Sequence, residues 1–363
     1  MADLSQLKVC FVAGTLGQGG AERQLFYILQ ALRQSGAAVR LLCLTQGEFW
    51  ESRIQELGVT VSWVGQDSSR VARVRRIVRE FRGDPPDILQ SAHFYTNLYV
   101  ALASRWLGLK EIGAVRNDTL SEVKANGRLL GRLSLRLPRL LAPNSQAGLR
   151  NAVKLGVPSG RCHFLPNVVD TARFVSVDRS QRSVLTLLAV GRLVPQKRMD
   201  RFLRVLAGVR AGSSLPVRGI IAGTGELKND LEAQARELGL LPEGVEFLGA
   251  VSDLIPVYQK ADLFVLTSDW EGTPNVVLEA SACGLPVIAT RAGGTADVVR
   301  DGQTGALFGS DDEAGMTRAI LNLVGDLKQR YVLGVAARQF VEAQHSVRKL
   351  PEFLSALYER AGA

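Results

Sequence analysis

The chain has 363 residues, of which 46% are hydrophobic and 22% charged, and it contains four cysteines and three histidines. This length predicts two domains with ample core, and the composition excludes a disordered or low-complexity chain. The cysteines form no C-x-x-C pair, so we expect free thiols in a reducing compartment and no structural zinc site. No apolar stretch of about twenty residues is present, so no membrane-spanning helix is predicted.

The net charge of +9 is unevenly distributed along the chain. Residues 1–169 hold 22 Lys and Arg against 12 Asp and Glu, whereas residues 170–363 hold 22 and 23. The basic excess therefore lies wholly in the first half. Such asymmetry indicates an anionic partner for that half, which could be nucleic acid, a membrane surface or a phosphorylated substrate.

The first half opens as an alternation of strands and helices. A buried strand from Lys8 to Ala13 leads through a glycine-rich loop at residues 14–20 into an amphipathic helix from Ala21 to Ser35. This opening is Rossmann-like, but its glycines are not spaced G-x-G-x-x-G and no acidic residue follows the second strand, which disfavours a dinucleotide dehydrogenase. Further strands are predicted at residues 39–45, 59–64, 87–91 and 112–115, and an arginine-rich helix at residues 70–82.

One basic segment of the first half has a pattern typical of membrane surfaces. Residues 124–141 place arginines at helical spacing among leucines and include no acidic residue. This pattern predicts an interfacial helix, with leucine at the acyl boundary and arginine at the headgroups. A packed helix with a basic outer face explains the same pattern. Pro138 is expected to end or kink the helix.

The second half repeats the alternation after a polar segment, residues 178–183, that is typical of a linker. Strands are predicted at residues 184–190, 219–222, 245–249, 263–266, 287–290 and 302–308, and helices from residue 199 and at residues 227–238, 254–260, 275–283, 311–324 and 342–363. The strands at 263–266 and 287–290 enclose one βαβ unit. Glu271 lies in the loop before the helix of this unit, at residues 275–283, and Glu279 lies about one turn inside that helix. Backbone N–H groups and the helix dipole at this turn favour an anionic ligand.

Several motifs together resemble those of one enzyme family. Glu271 and Glu279, followed by Ala-Ser-Ala-Cys-Gly-Leu-Pro-Val, resemble the E-x7-E signature of retaining, nucleotide-sugar-dependent glycosyltransferases of family 4. Gly19 to Arg23 is similar to the GGAER segment of that family, and Gly191 to Lys197 to its G-R-L-x-x-x-K segment. Residues 166–170 resemble its P-N-G-V-D turn, with Val168 replacing the glycine.

The resemblance covers nearly the whole chain and implies the GT-B fold, an α/β architecture of two Rossmann-like domains whose parallel sheets face across a cleft. It places an acceptor-binding domain at residues 1–175, a nucleotide-sugar-binding domain at residues 184–341, and a helical tail at residues 342–363 that crosses back to the first domain.

The resemblance also implies roles for individual residues. Arg192 and Lys197 would grip the donor diphosphate, which needs two cations, and Arg198 could stand in for Lys197. The catalytic residues implied are His93, Arg192, Lys197 and Glu271. The donor-binding residues implied are Gly17, Gly19, Gly20, Arg192, Lys197, Val251, Glu271, Gly272, Thr273, Asn275, Val276 and Glu279. The acceptor-binding residues implied are Glu22, Arg23, Asn97 and Arg116.

The implied activity is transfer of a hexose from a nucleoside-diphosphate sugar, UDP in the first instance, to a glycan or lipid-linked acceptor in bacterial surface-polysaccharide synthesis. No metal and no other cofactor is expected, and neither is nucleic acid. A cytoplasmic protein on the inner face of the membrane, held through residues 124–141, is expected. Two alternatives stay open: a GT-B-type nucleotide-sugar epimerase, and a non-enzymatic polyanion-binding protein.

Overall fold

The structure is a computed structural model that describes residues 2–67, 69–180 and 182–362. The chain divides into two compact units, of which the first comprises Met1–Val168 and Val347–Ala363 and the second comprises Val169–Ser346. The domain boundaries expected from the sequence stay a prediction. Gln181 of the predicted linker lies outside the described residues.

The first unit is built on a parallel sheet of six strands in the order β3-β2-β1-β4-β5-β6. Its strands are β1 (Lys8–Ala13), β2 (Ala38–Cys43), β3 (Thr60–Trp63), β4 (Ile88–Ser91), β5 (Lys110–Val115) and β6 (Leu140–Pro143). Its helices up to residue 154 are α1 (Gly20–Gln34), α2 (Glu51–Glu56), α3 (Arg70–Glu80), α4 (Asn97–Leu107), α5 (Thr119–Ala125), α6 (Arg128–Arg136) and α7 (Gln146–Lys154).

The second unit repeats this plan with the strand order β12-β11-β10-β7-β8-β9. Its strands are β7 (Leu185–Val190), β8 (Val217–Ala222), β9 (Val245–Gly249), β10 (Leu263–Leu266), β11 (Val287–Thr290) and β12 (Gly305–Phe308). Its helices are α8 (Met199–Gly212), α9 (Lys228–Glu237), α10 (Ile255–Lys260), α11 (Asn275–Ala282), α12 (Thr295–Val298), α13 (Glu313–Gly325) and α14 (Leu327–His345).

The central strand of each sheet is buried on both faces, as expected for parallel sheets covered by helices. In β1, Val9 pairs with Val39 on one side and Ile88 on the other, and the five residues from Val9 onward are buried. All six residues of β7 are buried. Burial of each such aliphatic side chain contributes about 1.5–3 kcal/mol, so these strands anchor the loops that follow them.

The last helix, α15 (Leu350–Arg360), belongs to the first unit. Leu354, Leu357 and Tyr358 are fully buried in the same apolar cluster as β1 and α1. The Tyr358 hydroxyl donates a hydrogen bond to Gln90 Oε1 on β4 at 3.0 Å. The tail therefore completes the core of a unit whose other residues lie almost 200 positions earlier.

The prediction of a single interfacial helix at residues 124–141 was wrong. Gly127, with φ 78°, interrupts the segment and divides it between α5 and α6. Its last two leucines, Leu140 and Leu141, lie buried in β6. They were misread because a strand buried on both faces shows a continuous apolar run, which also fits a helix. Pro138 follows the end of α6, as expected.

Four helices were not predicted: α2, α4, α12 and α14; of α5, only the last two residues fall in a predicted helix. Helix α14 carries exposed apolar residues, so its amphipathic pattern is weak. Gly334 within it lies against α11, where a Cβ would be 2.2 Å from the Gly284 carbonyl oxygen. Close helix packing of this kind depends on a tertiary neighbour and leaves no period in the sequence.

Candidate active site

The predicted site residues follow the strands at which each sheet reverses its order. In the first unit the reversal lies between β1 and β4, and in the second between β7 and β10. The glycine-rich loop follows β1 and His93 follows β4, while Lys197 follows β7 and Glu271 follows β10. Ligands of open α/β sheets bind at such switch points, beyond the carboxyl ends of the strands.

His93 is a buried residue whose ring orientation is fixed by the backbone of the glycine-rich loop. The Gly14 N–H donates a hydrogen bond to His93 Nδ1 at 3.1 Å. Because Nδ1 accepts, the neutral imidazole carries its proton on Nε2. His93 Nε2 lies 3.3 Å from Glu22 Oε1, without the geometry of a hydrogen bond. This places a proton donor beside a carboxylate at the edge of the first sheet.

Glu22 reaches this position because the residue before the helix is glycine. A Cβ at Gly19 would lie 2.1 Å from Glu22 Oε2. Glu22 sits in the first turn of α1 and is buried. A negative side chain in the first helical turn is favoured by the helix dipole. Gly19 is therefore needed for the position of this carboxylate as well as for the turn.

Tyr95 is a site residue that the sequence reading did not single out. Its ring stacks on His93, with centroids 5.5 Å apart and planes inclined by 15°. A Cβ at Gly14 would lie 1.8 Å from the Tyr95 hydroxyl oxygen, so Gly14 makes room for the ring. Burial, followed by the neighbouring carboxylate of Glu22, raises the pKa of Tyr95. The phenol is therefore a neutral group that can donate a hydrogen bond.

Glu48 is a second residue that was missed, and it holds the glycine-rich loop in place. Its carboxylate accepts hydrogen bonds from Thr15 Oγ1 at 2.8 Å, from Thr45 Oγ1 at 2.6 Å and from the Leu16 N–H. Burial acts to raise the pKa of Glu48, but these hydrogen bonds together lower it below its usual value. Glu48, five residues after the end of β2, thus serves the loop, a role that only the fold reveals.

The structure contradicts the acceptor role expected for Asn97. Its side chain is fully buried, and its amide donates to the carbonyls of Ala114 and Ser134 while its oxygen accepts from the Ala114 N–H. These bonds join α4 to β5 and to α6, so Asn97 has a structural role. Arg116 is half-buried after β5 and Arg23 is half-buried on α1, so both stay candidates.

The second unit brings Lys197 and Glu271 into direct contact. Lys197 Nζ lies 2.5 Å from Glu271 Oε1, and the two side chains are 15% and 7% exposed. The turn bearing Lys197 is held by the Thr267 hydroxyl, which donates to the Lys197 carbonyl at 3.0 Å, and by the Asp269 N–H, which donates to the Gln196 carbonyl at 2.9 Å. The end of β10 thereby positions both members of the pair.

Arg192 lies in the loop after β7 and is exposed. Its guanidinium makes no hydrogen bond or ion pair within residues 2–67, 69–180 and 182–362. The loop packs against the loop after β8, where a Cβ at Gly223 would lie 1.9 Å from the Gly191 carbonyl oxygen. Arg192 therefore offers an uncommitted cation on a well-supported loop.

Arg198 does not take the place of Lys197. It adopts a left-handed conformation, φ 48° and ψ 47°, and its guanidinium pairs with Asp200 at 3.0 Å and Asp269 at 3.2 Å. These two carboxylates raise the pKa of Arg198, since they stabilise its charged form. Its charge is used inside the fold, at the start of α8.

The loop that carries Glu271 rests on a second glycine-containing loop. The Gly294 N–H donates to the Gly272 carbonyl at 2.9 Å, and a Cβ at Gly293 would lie 1.9 Å from the Glu271 carbonyl oxygen. Gly272 and Thr273 are buried, whereas Asn275 and Val276 at the start of α11 are half-buried. Val251, after β9, is also half-buried. The residues of loop 291–294 were not predicted, although two adjacent glycines after a strand mark a close approach.

Glu279 lies on α11 as predicted, and its carboxylate is buried. Oε2 accepts a hydrogen bond from the Tyr258 hydroxyl at 2.8 Å. Tyr258 is itself fully buried in the apolar cluster beneath α11. A carboxylate can accept about four hydrogen bonds. The Tyr258 hydroxyl therefore helps to orient Glu279.

Family models match both units of the chain. The family described as Glycosyltransferase Family 4 matches residues 18–173, and that described as Glycosyl transferases group 1 matches residues 185–326. A GDP-mannose-dependent alpha-mannosyltransferase of Mycobacterium tuberculosis is 32% identical over 292 residues, which are 73% of this chain and 71% of that protein. The chain belongs to glycosyltransferase family 4.

Other relatives of this family 4 glycosyltransferase differ in how much of their length they share with it. An alpha-1,4-N-acetyl-D-galactosaminyltransferase of Campylobacter jejuni, which acts on a sugar-diphosphate-undecaprenol, is 27% identical over 346 residues, with 92% of this chain and 93% of that protein covered. The chain spans about half the length of other curated relatives it matches, 52% and 53% in two cases.

A solved structure has the same fold as this glycosyltransferase. The crystal structure of Anabaena Alr3699/HepE in complex with UDP and glucose matches with a TM-score of 0.85 and 20% identity, covering 98% of this chain and 100% of that one. The fold is therefore GT-B, with two Rossmann-like units, as the sequence predicted. No helix in the described part of the chain is long and apolar enough to cross a membrane.

Proposed function

We propose that this glycosyltransferase is a retaining enzyme that moves a hexose from a nucleoside-diphosphate sugar to a lipid-linked or glycan acceptor in bacterial surface-glycan synthesis. The observation that carries the proposal is the buried Lys197–Glu271 pair with the uncommitted Arg192 on the same side of the second sheet. Two cations, one held in an ion pair and one without a partner among the described residues, can bind the two phosphates of such a donor.

The donor would lie at the carboxyl end of the second sheet. Lys197 is held before the donor arrives, so it can stabilise the charge that develops on the leaving diphosphate without reorganisation. Glu279, whose carboxylate accepts a hydrogen bond from Tyr258, would also receive ribose hydroxyls of the donor. We propose that these two cations suffice for the leaving group and that no metal ion takes part.

The proposed stereochemistry follows from the state of Glu271. A carboxylate paired with an ammonium group at 2.5 Å is a poor nucleophile, since its charge is already compensated. Glu271 would instead bind hydroxyls of the transferred sugar. Transfer would then occur on the front face, with the leaving phosphate taking the proton of the acceptor hydroxyl. His93, whose Nε2 proton has no hydrogen bond in the described residues, stays the proposed catalytic residue of the first unit.

The identity of the nucleotide base of the donor is the point that the assay has to decide. The motif resemblance favours UDP, and the relative that shares 73% of this chain is GDP-mannose-dependent. Both bases are therefore tested. The assay is nucleotide release from UDP-glucose, UDP-N-acetylglucosamine and GDP-mannose, with and without a bacterial lipid extract as acceptor. Release that depends on the extract supports transfer. No release with any of the three donors contradicts it, and epimerised donor sugar would favour the epimerase.

We also propose a peripheral position on the inner face of the cell membrane. Leu129 and Leu133 of α6 are 72% and 38% exposed, and Arg128 and Arg132 are exposed beside them. This short helix keeps the leucine and arginine pattern that the longer segment was expected to form. Relatives act on undecaprenol-linked and phosphatidylinositol-linked acceptors, which lie in membranes. A basic, leucine-bearing surface on the acceptor unit would bring the enzyme to such an acceptor.

A further inference from the structure

Arg116 lies where an acceptor would meet the first sheet. It follows β5 directly, and β5 pairs in parallel with β4, which His93 follows two residues after its end. The carboxyl ends of neighbouring parallel strands lie about 5 Å apart. Arg116 therefore belongs to the same edge as the His93 and Tyr95 cluster, on the strand next to it.

The guanidinium of Arg116 is less satisfied than those of three other half-buried arginines. Its one hydrogen bond goes to the Leu165 carbonyl at 3.5 Å, and within the residues described it has no carboxylate partner. By contrast, Arg73 donates to a carbonyl at 2.7 Å, Arg76 pairs with Asp67 at 2.8 Å, and Arg161 donates to the Arg136 carbonyl at 2.7 Å. Arg116 thus keeps most of its five N–H donors unused.

A half-buried cation without a counter-ion is unfavourable unless something compensates it. Burial lowers the pKa of Arg116 to about 10, and the nearby hydroxyl of Tyr358 opposes this only in part. Tyr358 is itself committed to Gln90. Such a site costs stability when the protein is alone, and that cost is typical of groups that serve a ligand. The matching ligand is an oxyanion, which the planar guanidinium can bind with two parallel hydrogen bonds.

We propose that Arg116 binds an oxyanion of the acceptor, either a phosphate ester or a sugar carboxylate, and so makes the enzyme selective for anionic acceptors. That the ligand is the acceptor rests on the proposed function, but the oxyanion site itself does not depend on transfer. It assigns to Arg116 a chemistry distinct from that of the donor cations, which lie in the second unit.

The test is calorimetric titration of the full chain with inorganic phosphate, pyrophosphate, D-glucuronate and, as the uncharged control, D-glucose. Each is titrated into the double variant Lys197→Met with Glu271→Gln, which removes the Lys197 cation without leaving a buried carboxylate unpaired, and into the same protein with Arg116→Gln added. The matched control is Arg150→Gln, which removes an exposed arginine of α7 and changes the net charge equally. Arg116→Gln should weaken binding of one oxyanion by about tenfold or more, while Arg150→Gln changes it by less than about twofold.

The probes separate the two sources of the oxyanion. Loss confined to phosphate and pyrophosphate indicates a phosphate ester, and loss confined to glucuronate indicates an acidic sugar. Equal affinities of Arg116→Gln and Arg150→Gln for all three anions overturn the proposal. If Arg116→Gln does not fold, Arg116→Lys replaces it, with Arg150→Lys as control and the same criterion, because lysine keeps the charge but loses the planar fork.

Turnover gives an independent readout on Arg116. With an active donor and lipid extract, Arg116→Gln should raise the apparent KM for the acceptor and leave the KM for the donor unchanged. An unchanged acceptor KM overturns the selectivity. Absence of transfer in the wild-type protein, with oxyanion binding still lost in Arg116→Gln, would reject the proposed function and keep the oxyanion site.

Discussion

At the scale of single residues, the two proposed phosphate-binding cations differ in how they are held. Lys197 is nearly buried and paired with Glu271, whereas Arg192 is exposed. A paired lysine is preorganised, but removing it leaves a buried carboxylate without a partner. A substitution of Lys197 therefore changes stability and catalysis together, and the two effects have to be separated.

Lys197→Ala should lower turnover about a hundredfold, since a cation that answers transition-state charge contributes on the order of 3 kcal/mol. It should also destabilise the fold by about 3–5 kcal/mol, because Glu271 is left buried and unpaired. The double variant Lys197→Met with Glu271→Gln should recover most of the stability and none of the activity. Urea denaturation and nucleotide release measure the two effects. A double variant with wild-type turnover would remove the pair from the site.

Glu122 provides a prediction of pH-dependent stability. Burial, and then the charge of Asp118, raises the pKa of Glu122 to about 7, from an ordinary value of 4.5. Between these values the folded state binds more protons than the unfolded state, so the free energy of unfolding falls as pH rises. Glu122→Gln should therefore be more stable than wild type at pH 8, by about 1–3 kcal/mol, and nearly equal to it at pH 4.5.

Urea denaturation at the two pH values checks this, with Glu56→Gln on the exposed face of α2 as the control for loss of one carboxylate. If Glu122→Gln and Glu56→Gln change stability equally at pH 8, Glu122 is not the destabilising group.

At the scale of elements, glycines allow the site loops to rest on one another. Gly223 admits the carbonyl of Gly191 in the loop of Arg192, and Gly293 admits the carbonyl of Glu271. In both cases a loop after one strand supports the loop after its neighbour. The site loops are thus held mainly by backbone contacts, and a methyl group at either glycine would displace a carbonyl rather than a flexible side chain.

Gly293→Ala should reduce turnover by about a hundredfold, because a Cβ 1.9 Å from the Glu271 carbonyl oxygen forces the loop to move by the order of an ångström. The matched control is Gly302→Ala. Gly302 has φ 74° against 51° for Gly293, but apart from its chain neighbours no atom of the described residues lies within 4 Å of its Cβ position. Both variants bear left-handed strain of about 1–2 kcal/mol, and only Gly293→Ala adds the clash. Equal turnover in the two variants would show that the contact does not position Glu271.

At the scale of the whole molecule, the basic excess of residues 1–169 accompanies exposed apolar residues on α6. Arg136 of the same helix donates to the Leu155 carbonyl at 2.7 Å, so its charge is tied into the fold. Arg128 and Arg132 have no such bond among the described residues. Basic residues near an anionic surface contribute about 1 kcal/mol each, and the exposed leucines add apolar contact. The membrane surface that we propose is therefore smaller than the eighteen-residue segment expected from the sequence.

Liposome co-sedimentation should show binding that rises with anionic lipid and falls with salt. Leu129→Ser with Leu133→Ser, and separately Arg128→Ser with Arg132→Ser, should each reduce it. The matched control is Tyr331→Ser with Val332→Ser on α14, which removes exposed apolar residues of the second unit. Equal recovery with neutral and anionic liposomes, or equal loss in the control, would refute this surface and favour a soluble acceptor.

The sequence by itself determined the two Rossmann-like units, and its motifs predicted most of the residues of the candidate site. Periodicity located nearly every strand, because strands buried on both faces are continuous apolar runs. The signature glycines, Lys197, Glu271 and Glu279 could be proposed because each belongs to a motif that resembles one of the family, and each motif is local to one loop and the helix that follows it.

The tertiary structure decided which partners those residues have. It pairs Lys197 with Glu271, commits Asn97 to the core, holds the glycine-rich loop through Glu48, and leaves Arg116 without a carboxylate partner among the residues described. The contacts of Lys197, of Asn97 and of Glu48 with the glycine-rich loop each join residues that are 17 or more positions apart. Arg116 is distinguished instead by the weakness of its one guanidinium hydrogen bond among the described residues. Spacing along the chain records what is close in sequence. The partner of a charge depends on which strand ends the sheet brings side by side.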